Sequence, residues 1–428
     1  MTVKDMLGRT GVVAREEALK RLEDHLTIGL PDQEFIHISS SLGRVLSDSV
    51  ISPEDQPEFD RSTMDGYAVR SADTFGATES LPAFLAVIGD IAMGTVPARH
   101  VSKGEVMKIA TGGALPRGAD AVVMLEQTQP VDEEHIEVVK AVAPQENVTR
   151  AGDDMRKGEA VLSKGHVIRP QDMGALASMG IVRIPVYQKP KVAIISTGNE
   201  IVPADSAPGP GKIRDSNSYN LEGLIALSGG MAVKMGILPD DRDRLRATLK
   251  DAVSSCHIVL FTGGSSVGTA DFTARVINDL GRPGVLVHGV SVKPGKPIII
   301  GVVREENTGR SIPVFGLPGH QAAVSICFEL FVKPVLTKFT GSVPDPALAG
   351  IAPYRSLKAR LARSISSAPG REDHVRVTLE KRDDGLWARP VFGASGLIST
   401  LVKAVGTVVV PVNKIGIEAG EEVEVRLF

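Results

Sequence analysis

The sequence predicts a multidomain α/β protein: a central α/β domain with a parallel-rich sheet, a β domain inserted into a helical N-terminal domain, and a C-terminal β domain. Three observations carry that prediction. At roughly 150 residues per domain, 428 residues give about three folding units. From Lys189 onward, strand and helix patterns alternate at the spacing of βαβ units. Short apolar runs broken by Gly, Pro and Asp fill the stretch from Ala83 to Val142, and again that from Tyr354 to Phe428.

The elements follow in order. Ala18, Leu22 and Leu26 recur at i, i+4 and i+8, which predicts a first helix. The Pro-rich stretch Ser52–Pro57 ends regular structure. Strands are predicted at Ala83–Ile88, Glu105–Ala110, Ala121–Leu125 and His135–Val139. Pro170 suits the first turn of a helix and Gly180 its C-terminal cap. That region resembles the N-terminal segment in style, so the β domain reads as an insertion. The resulting boundaries are 1–50 with 155–187, 51–154, 188–342 and 343–428.

In the α/β part, strands are predicted at Val192–Ser196, Val233–Leu238, His257–Phe261 and Ile312–Phe315. Helices are predicted at Asn217–Leu227, Asp241–Val253 and Asp271–Leu280, before the long segment Gln321–Phe339. His374–Leu379 and Thr407–Val412 are later β runs.

Composition narrows the function. Forty-eight Lys+Arg against 51 Asp+Glu give a formal charge of -3, unlike the basic excess of a general nucleic-acid binder. Trp387 is the single Trp and aromatics are 4%, so a base-stacking platform is not expected. Two distant cysteines, Cys256 and Cys327, cannot make a disulfide framework or a Cys-rich zinc site, and both read as buried free thiols. Met1–Thr10 has no apolar core of a secretion signal, and no run approaches the ~18 apolar residues of a membrane span. A cytoplasmic protein without membrane or nucleic-acid partners is the expectation.

Ligands of open α/β sheets bind beyond the carboxyl ends of the strands. Three predicted strands deliver Glu200, Asp240 and the run Thr262–Gly268, then Asp271, to one edge. Glycines such as Gly263, Gly264 and Gly268, with Ser266 between, let backbone approach an anion, although a tight strand-to-helix turn explains them equally well. No Gly-Lys-Ser/Thr follows, so the loop is not a Walker motif. Three carboxylates suit a hard cation such as Mg²⁺. Taken singly, Asp240 and Asp271 read as helix caps. Lys293-Pro294-Gly295-Lys296-Pro297 reads as a rigid cationic turn facing phosphate or another oxyanion, or as a solvated surface turn. Gly264–Gly268 also matches Gly-x-Ser-x-Gly, which would need Asp279 with His320 or His374 to complete a hydrolase triad.

Taken together, the segments Phe59–Arg70, Thr111–Pro116, Gly118–Gln127, Ser196–Glu200, Lys212–Leu221, Thr262–Asp271, Lys293–Pro297 and Phe315–Gly319 resemble the molybdopterin molybdenumtransferase family, which includes the C-terminal enzyme domain of gephyrin. They occur in the family's order and span nearly the whole chain. The resemblance implies four structural domains, a molybdopterin-binding-type α/β domain, an elongated homodimer and a site between subunits. It implies Mg²⁺-dependent insertion of molybdenum from molybdate into adenylyl-molybdopterin with release of AMP. On it, Asp60 and Thr111 reach into the partner's site. Glu200, Asp240 and Asp271 are acidic, metal-holding positions; Lys293 and Lys296 are basic ones. Gly263, Gly264, Ser266, Gly268, Asp154, Asn217, Pro294 and Gly295 bind the cofactor, and Arg376 and Ser395 contact molybdate. Molybdopterin adenylyltransferase and recipient molybdoenzymes are possible partners.

The chain departs from the family's usual residues at Gly289, where a basic residue is common, at His320-Gln321, where Asn-Pro is common, and at Val405, where Asn is common. Two other classes stay open. One is an adenylyltransferase-like activity, because that enzyme shares the α/β domain. The other is a noncatalytic molybdopterin-binding scaffold.

Overall fold

The computed structural model describes residues 12–263, 267–343 and 355–428, with the side chains of 267–271 left out. The helix Arg15–Glu23 places Ala18 and Leu22 on one fully buried face, as their spacing predicts. Its partners differ from the expectation. Ala18 and Leu22 pack with Val192, Ile194 and Val287, so this helix lies on the α/β sheet rather than with residues 155–187. Apolar residues at this spacing specify a buried face but not the surface that covers it.

The segments on either side of the first β region are hydrogen-bonded to each other. Gln33–His37 pairs antiparallel with Arg183–Tyr187, and Val50–Ile51 with Ala160–Leu162. Leu46, Leu162, Ile168, Leu176 and Val186 share one core between them. Pro170 opens the helix Pro170–Ser178, and Gly180 follows it at a φ of 68°. Asp172 ties this helix down. Burial opposes its charge, but hydrogen bonds from Arg169 and His166 win and hold its carboxyl at about 2. A depressed folded value stabilises above the ordinary carboxylate range, and the contribution is lost as pH falls through about 2. Asp172→Asn should therefore cost about 2 kcal/mol in urea unfolding at neutral pH, the worth of hydrogen bonds to a charged group, with the difference from wild type shrinking in acid.

Between these paired segments lies a six-stranded sheet in the order Ala121–Met124, Gly66–Val69, Glu105–Ile109, Ala83–Asp90, His135–Val138, Thr128–Pro130. Gly66 lies in the segment Phe59–Arg70, where a glycine could mark a turn. It opens a strand instead, where a Cβ would lie 1.9 Å from the Val123 carbonyl oxygen, so its role is close strand approach.

The central sheet runs Met231–Leu238, Lys191–Thr197, Ile258–Gly263, Ser311–Leu317, Ile299–Arg304, Pro283–His288. Its first four strands are parallel, and the last two pairings are antiparallel. The parallel strands are buried apolar runs, such as Val192–Ile195, Ile258–Phe261 and Ile312–Phe315, with one core on each sheet face. The helix Asn217–Leu227 has the predicted bounds. Two cap expectations are corrected. Asp241, not Asp240, caps the helix Arg242–Ser255 by accepting from the Arg244 N–H at 2.9 Å. The next helix begins at Val267, which puts Asp271 inside it rather than at its cap.

The last region is a sheet in which Glu372–Arg382 pairs with both Gly385–Pro390 and Gly406–Val410, closing the strands into a ring. Val292–Lys293 adds to it in parallel, with Lys293 opposite Asp373. Cys256 and Cys327 are free and buried. Among the described residues, no helix is long and apolar enough to cross a membrane.

Candidate functional site

The four parallel strands end at one edge, and their loops form a cavity of about 310 Å³. Gly198 and Glu200 follow the first strand, Asp240 follows Met231–Leu238, Thr262 and Gly263 end the third, and Gly319–Gln321 follow the fourth. Gly263 is required where it stands. Its φ is 104°, and a Cβ would sit 2.0 Å from the Thr197 carbonyl oxygen. The strand ends can close over the cavity floor only with glycine there.

Asp215 anchors the other wall. It is buried, accepts from Ser196 Oγ at 2.7 Å and from the Ser218 N–H at 3.1 Å, and so fixes the start of the helix Asn217–Leu227. Asn217 donates from Nδ2 to Thr262 Oγ1 and to the Gly319 carbonyl, each at 2.9 Å. Its Oδ1 is buried without a partner. A buried acceptor left unpaired is costly, so this atom calls for a donor or a cation. The Asp240 carboxyl is pushed up from its usual value, first by burial and then by the neighbouring Glu200 carboxylate, against a hydrogen bond with Asn199. Two like charges and an orphan amide oxygen make an all-oxygen donor set, which suits a hard divalent cation. Among the described residues no three carboxylate, histidine or cysteine groups gather to hold a metal. The expected third member, the Asp271 side chain, lies outside the described residues, as do Gly264 and Ser266; Gly268 lies in the helix Val267–Asp279.

The lysine turn belongs to a second cavity, of about 530 Å³, lined by Lys293–Pro297, Arg371, Asp373, Arg376 and Ser395 among others. It adjoins the first, and His320 lines both. The turn still projects from the same sheet edge. Pro283–His288 runs antiparallel to Ile299–Arg304, itself antiparallel to the fourth strand, so its end points the same way as Gly263. Gly295 packs against the core, where a Cβ would meet Cys327 Sγ at 2.7 Å.

The charges of this second cavity are arranged by the C-terminal sheet. Asp373, 4% exposed at its side chain, faces Lys293 Nζ at 3.6 Å and Arg371 Nε at 2.8 Å. Arg376 is buried, donating to Thr400 Oγ1 at 2.6 Å and to the Gly393 carbonyl at 2.8 Å. Burial lowers its guanidinium from the usual value, so an anion beside it would relieve a real cost. Asp215, Arg371 and Asp373 were missed as site residues. Asp215, two positions before a predicted helix, was legible as an anchor; the other two depend on pairing between distant segments.

Three expected site residues line neither cavity. Asp60 accepts from the Ala151 N–H at 2.9 Å. The Thr111 N–H and hydroxyl donate to Asp65 at 2.7 and 3.0 Å, hydrogen bonds that hold the Asp65 carboxyl below its usual range. Asp154 is exposed. The hydrolase triad is not assembled: Asp279 pairs with Arg242, His374 with Glu372, and His320 with Ser395.

Comparison with known proteins finds three matched regions. Residues 13–180 match "MoeA N-terminal region (domain I and II)", 193–338 match "Probable molybdopterin binding domain", and 358–428 match "MoeA C-terminal region (domain IV)". A molybdopterin biosynthesis protein of Methanocaldococcus jannaschii is 36% identical over 97% of both chains. The molybdopterin molybdenumtransferase of Bacillus subtilis is 30% identical over 99% of this chain and 96% of its own. The crystal structure of a molybdopterin biosynthesis MoeA protein from Pyrococcus horikoshii superposes with a TM-score of 0.79 at 38% identity, covering 97% of this chain and 99% of that one.

Proposed function

The chain belongs to the MoeA family of molybdopterin molybdenumtransferases, and from this membership we propose that it transfers molybdenum from molybdate to adenylyl-molybdopterin, releasing AMP in a Mg²⁺-dependent step. The observation that carries the reading is the meeting at His320 of a carboxylate cavity and a lysine–arginine cavity. One provides hard oxygen donors and the other provides cations for an oxyanion.

Glu200, Asp240 and the Asn217 amide oxygen would hold Mg²⁺, which often takes one or two protein carboxylates and completes its shell with phosphate oxygens. When bound, that ion makes the phosphoanhydride electrophilic. Lys293 and Lys296 would offset the charge of the tetrahedral oxyanion, with Arg376 and Ser395 lining the same cavity. The glycine run from Gly263 would let backbone approach the pyrophosphate. Asp271, in the helix that follows, is proposed as a further acidic member of this site.

Asp60, Thr111 and Asp154 line neither cavity of their own chain, which supports a homodimer whose partner copy receives them. The free buried thiols agree with work in a reducing compartment, and we propose the cytoplasm. Hand-over from a molybdopterin adenylyltransferase and delivery to recipient molybdoenzymes complete the proposal.

The test is reconstitution with adenylyl-molybdopterin, molybdate and Mg²⁺. AMP release together with activation of an apo-molybdoenzyme is the expected result. Adenylylation of molybdopterin from ATP, or neither activity, would overturn it in favour of the adenylyltransferase-like or scaffold reading.

A further inference from the structure

We propose that His320 is a positioning residue that turns the Ser395 hydroxyl into a hydrogen-bond donor for a tetrahedral oxyanion in the lysine-lined cavity. The proposal rests on the reading of that cavity given above and adds a residue and a tautomer to it. His320 Nδ1 lies 2.7 Å from Ser395 Oγ, and His320 lines both cavities.

The exposed ring packs on one neighbour, and the backbone on either side of it is anchored. A Cβ on Gly396 would come within 3.4 Å of His320 Cδ2, so the imidazole lies against that backbone. Two residues along the chain, the Ala322 N–H donates to the Ser395 carbonyl at 3.2 Å, binding the two segments together. One residue before it, the Gly319 carbonyl accepts from Asn217 Nδ2 at 2.9 Å. The histidine is thereby held between the floor of the carboxylate cavity and the loop that carries Ser395.

A serine hydroxyl has one hydrogen to give, and the histidine decides where it goes. With hydrogen on Nδ1, the imidazole donates to Oγ and the serine hydrogen turns toward the cavity. With Nδ1 bare, the serine hydrogen is consumed by the ring, and only lone pairs face the anion. An oxyanion beside Lys293, Lys296 and Arg376 therefore favours the Nδ1–H form, and that form favours the oxyanion by the same factor.

The experiment titrates inorganic molybdate into the full chain by calorimetry, using wild type, His320→Ala, His320→Asn, Ser395→Ala and the His320→Ala/Ser395→Ala pair. His320→Ala and Ser395→Ala should each weaken binding about tenfold, the effect of one hydrogen bond to a charged group. The double variant should bind no more weakly than Ser395→Ala, because the histidine acts through the serine. His320→Asn, which can place an N–H toward Oγ, should recover most of the loss. In ¹⁵N-histidine-labelled protein, molybdate should move the Nδ1 signal toward the protonated form. Unchanged affinity in His320→Ala, additive losses, or a still Nδ1 signal would overturn the proposal. If Lys293→Ala weakens molybdate while His320→Ala does not, only this inference fails. If wild type binds no molybdate, the reading of the cavity fails and takes the inference with it.

Discussion

Glu200→Gln is expected to lower molybdenum insertion by at least about 100-fold if Glu200 holds Mg²⁺ as proposed, since even the outer partners of metal ligands cost 10–100-fold when removed. The reason is the carboxylate pair. Asp240 is raised by burial and by Glu200, which means the ionised pair is held at a cost that a divalent cation cancels. The sign can be checked without any assay of insertion. A raised folded value stabilises fully below the ordinary carboxylate range and is lost as pH rises through the raised value. On the proposed site Mg²⁺ would bind the ionised pair, so its stabilising effect in thermal unfolding should grow with pH across that window. In Glu200→Gln the window should move toward acid, because one of the two causes is gone, and the Mg²⁺ effect should shrink. Wild-type insertion rates in this variant, with an unmoved Mg²⁺ profile, would remove the pair from the site.

Gly263→Ala is expected to be the most damaging substitution at the strand ends. The backbone there has a φ of 104°, and the added Cβ would meet the Thr197 carbonyl oxygen at 2.0 Å. Thr197 and Gly263 are directly paired in the parallel ladder, so neither can withdraw without breaking register. A loss of about 3–5 kcal/mol in urea unfolding follows from strained backbone plus a clash that cannot relax. Gly211→Ala is the matched control. Its φ is 73° and nothing lies within 4 Å of its Cβ, so about 1 kcal/mol of conformational cost should remain. Equal losses at both positions would show that contact with Thr197 is not the cause.

Much of the central sheet was legible because buried parallel strands are continuous apolar runs. Val192–Ile195 and Ile258–Phe261 announce themselves, and the rule for strand ends then places Glu200, Asp240 and Gly263 together. The cationic turn was legible as chemistry but not as position. Ile299–Arg304 reverses the direction of the sheet, and no local pattern in it specifies an antiparallel partner. The role of Asp373 was out of reach for the same reason: it meets Lys293 only because two remote segments share a ladder. Helix starts misled by a few residues, since Asp240 and Asp241 offer the same capping chemistry and only geometry selects the second. The helix Arg15–Glu23 shows the converse, a face correctly read and a packing partner that the face alone cannot name.

The ladder between Val292–Lys293 and Glu372–Asp373 has a consequence for how the molecule can be taken apart. The start of the turn is laddered to a strand of the closed C-terminal ring, and Lys293 is ion-paired to it, so any swing of that ring must drag the turn along as a lever drags its load. Severing the chain near residue 343 would not liberate an α/β unit with its second cavity intact. It would leave Lys293 without its buried counter-ion, while the severed ring would keep Arg371 and Arg376 and lose the lysine turn that completes the cavity.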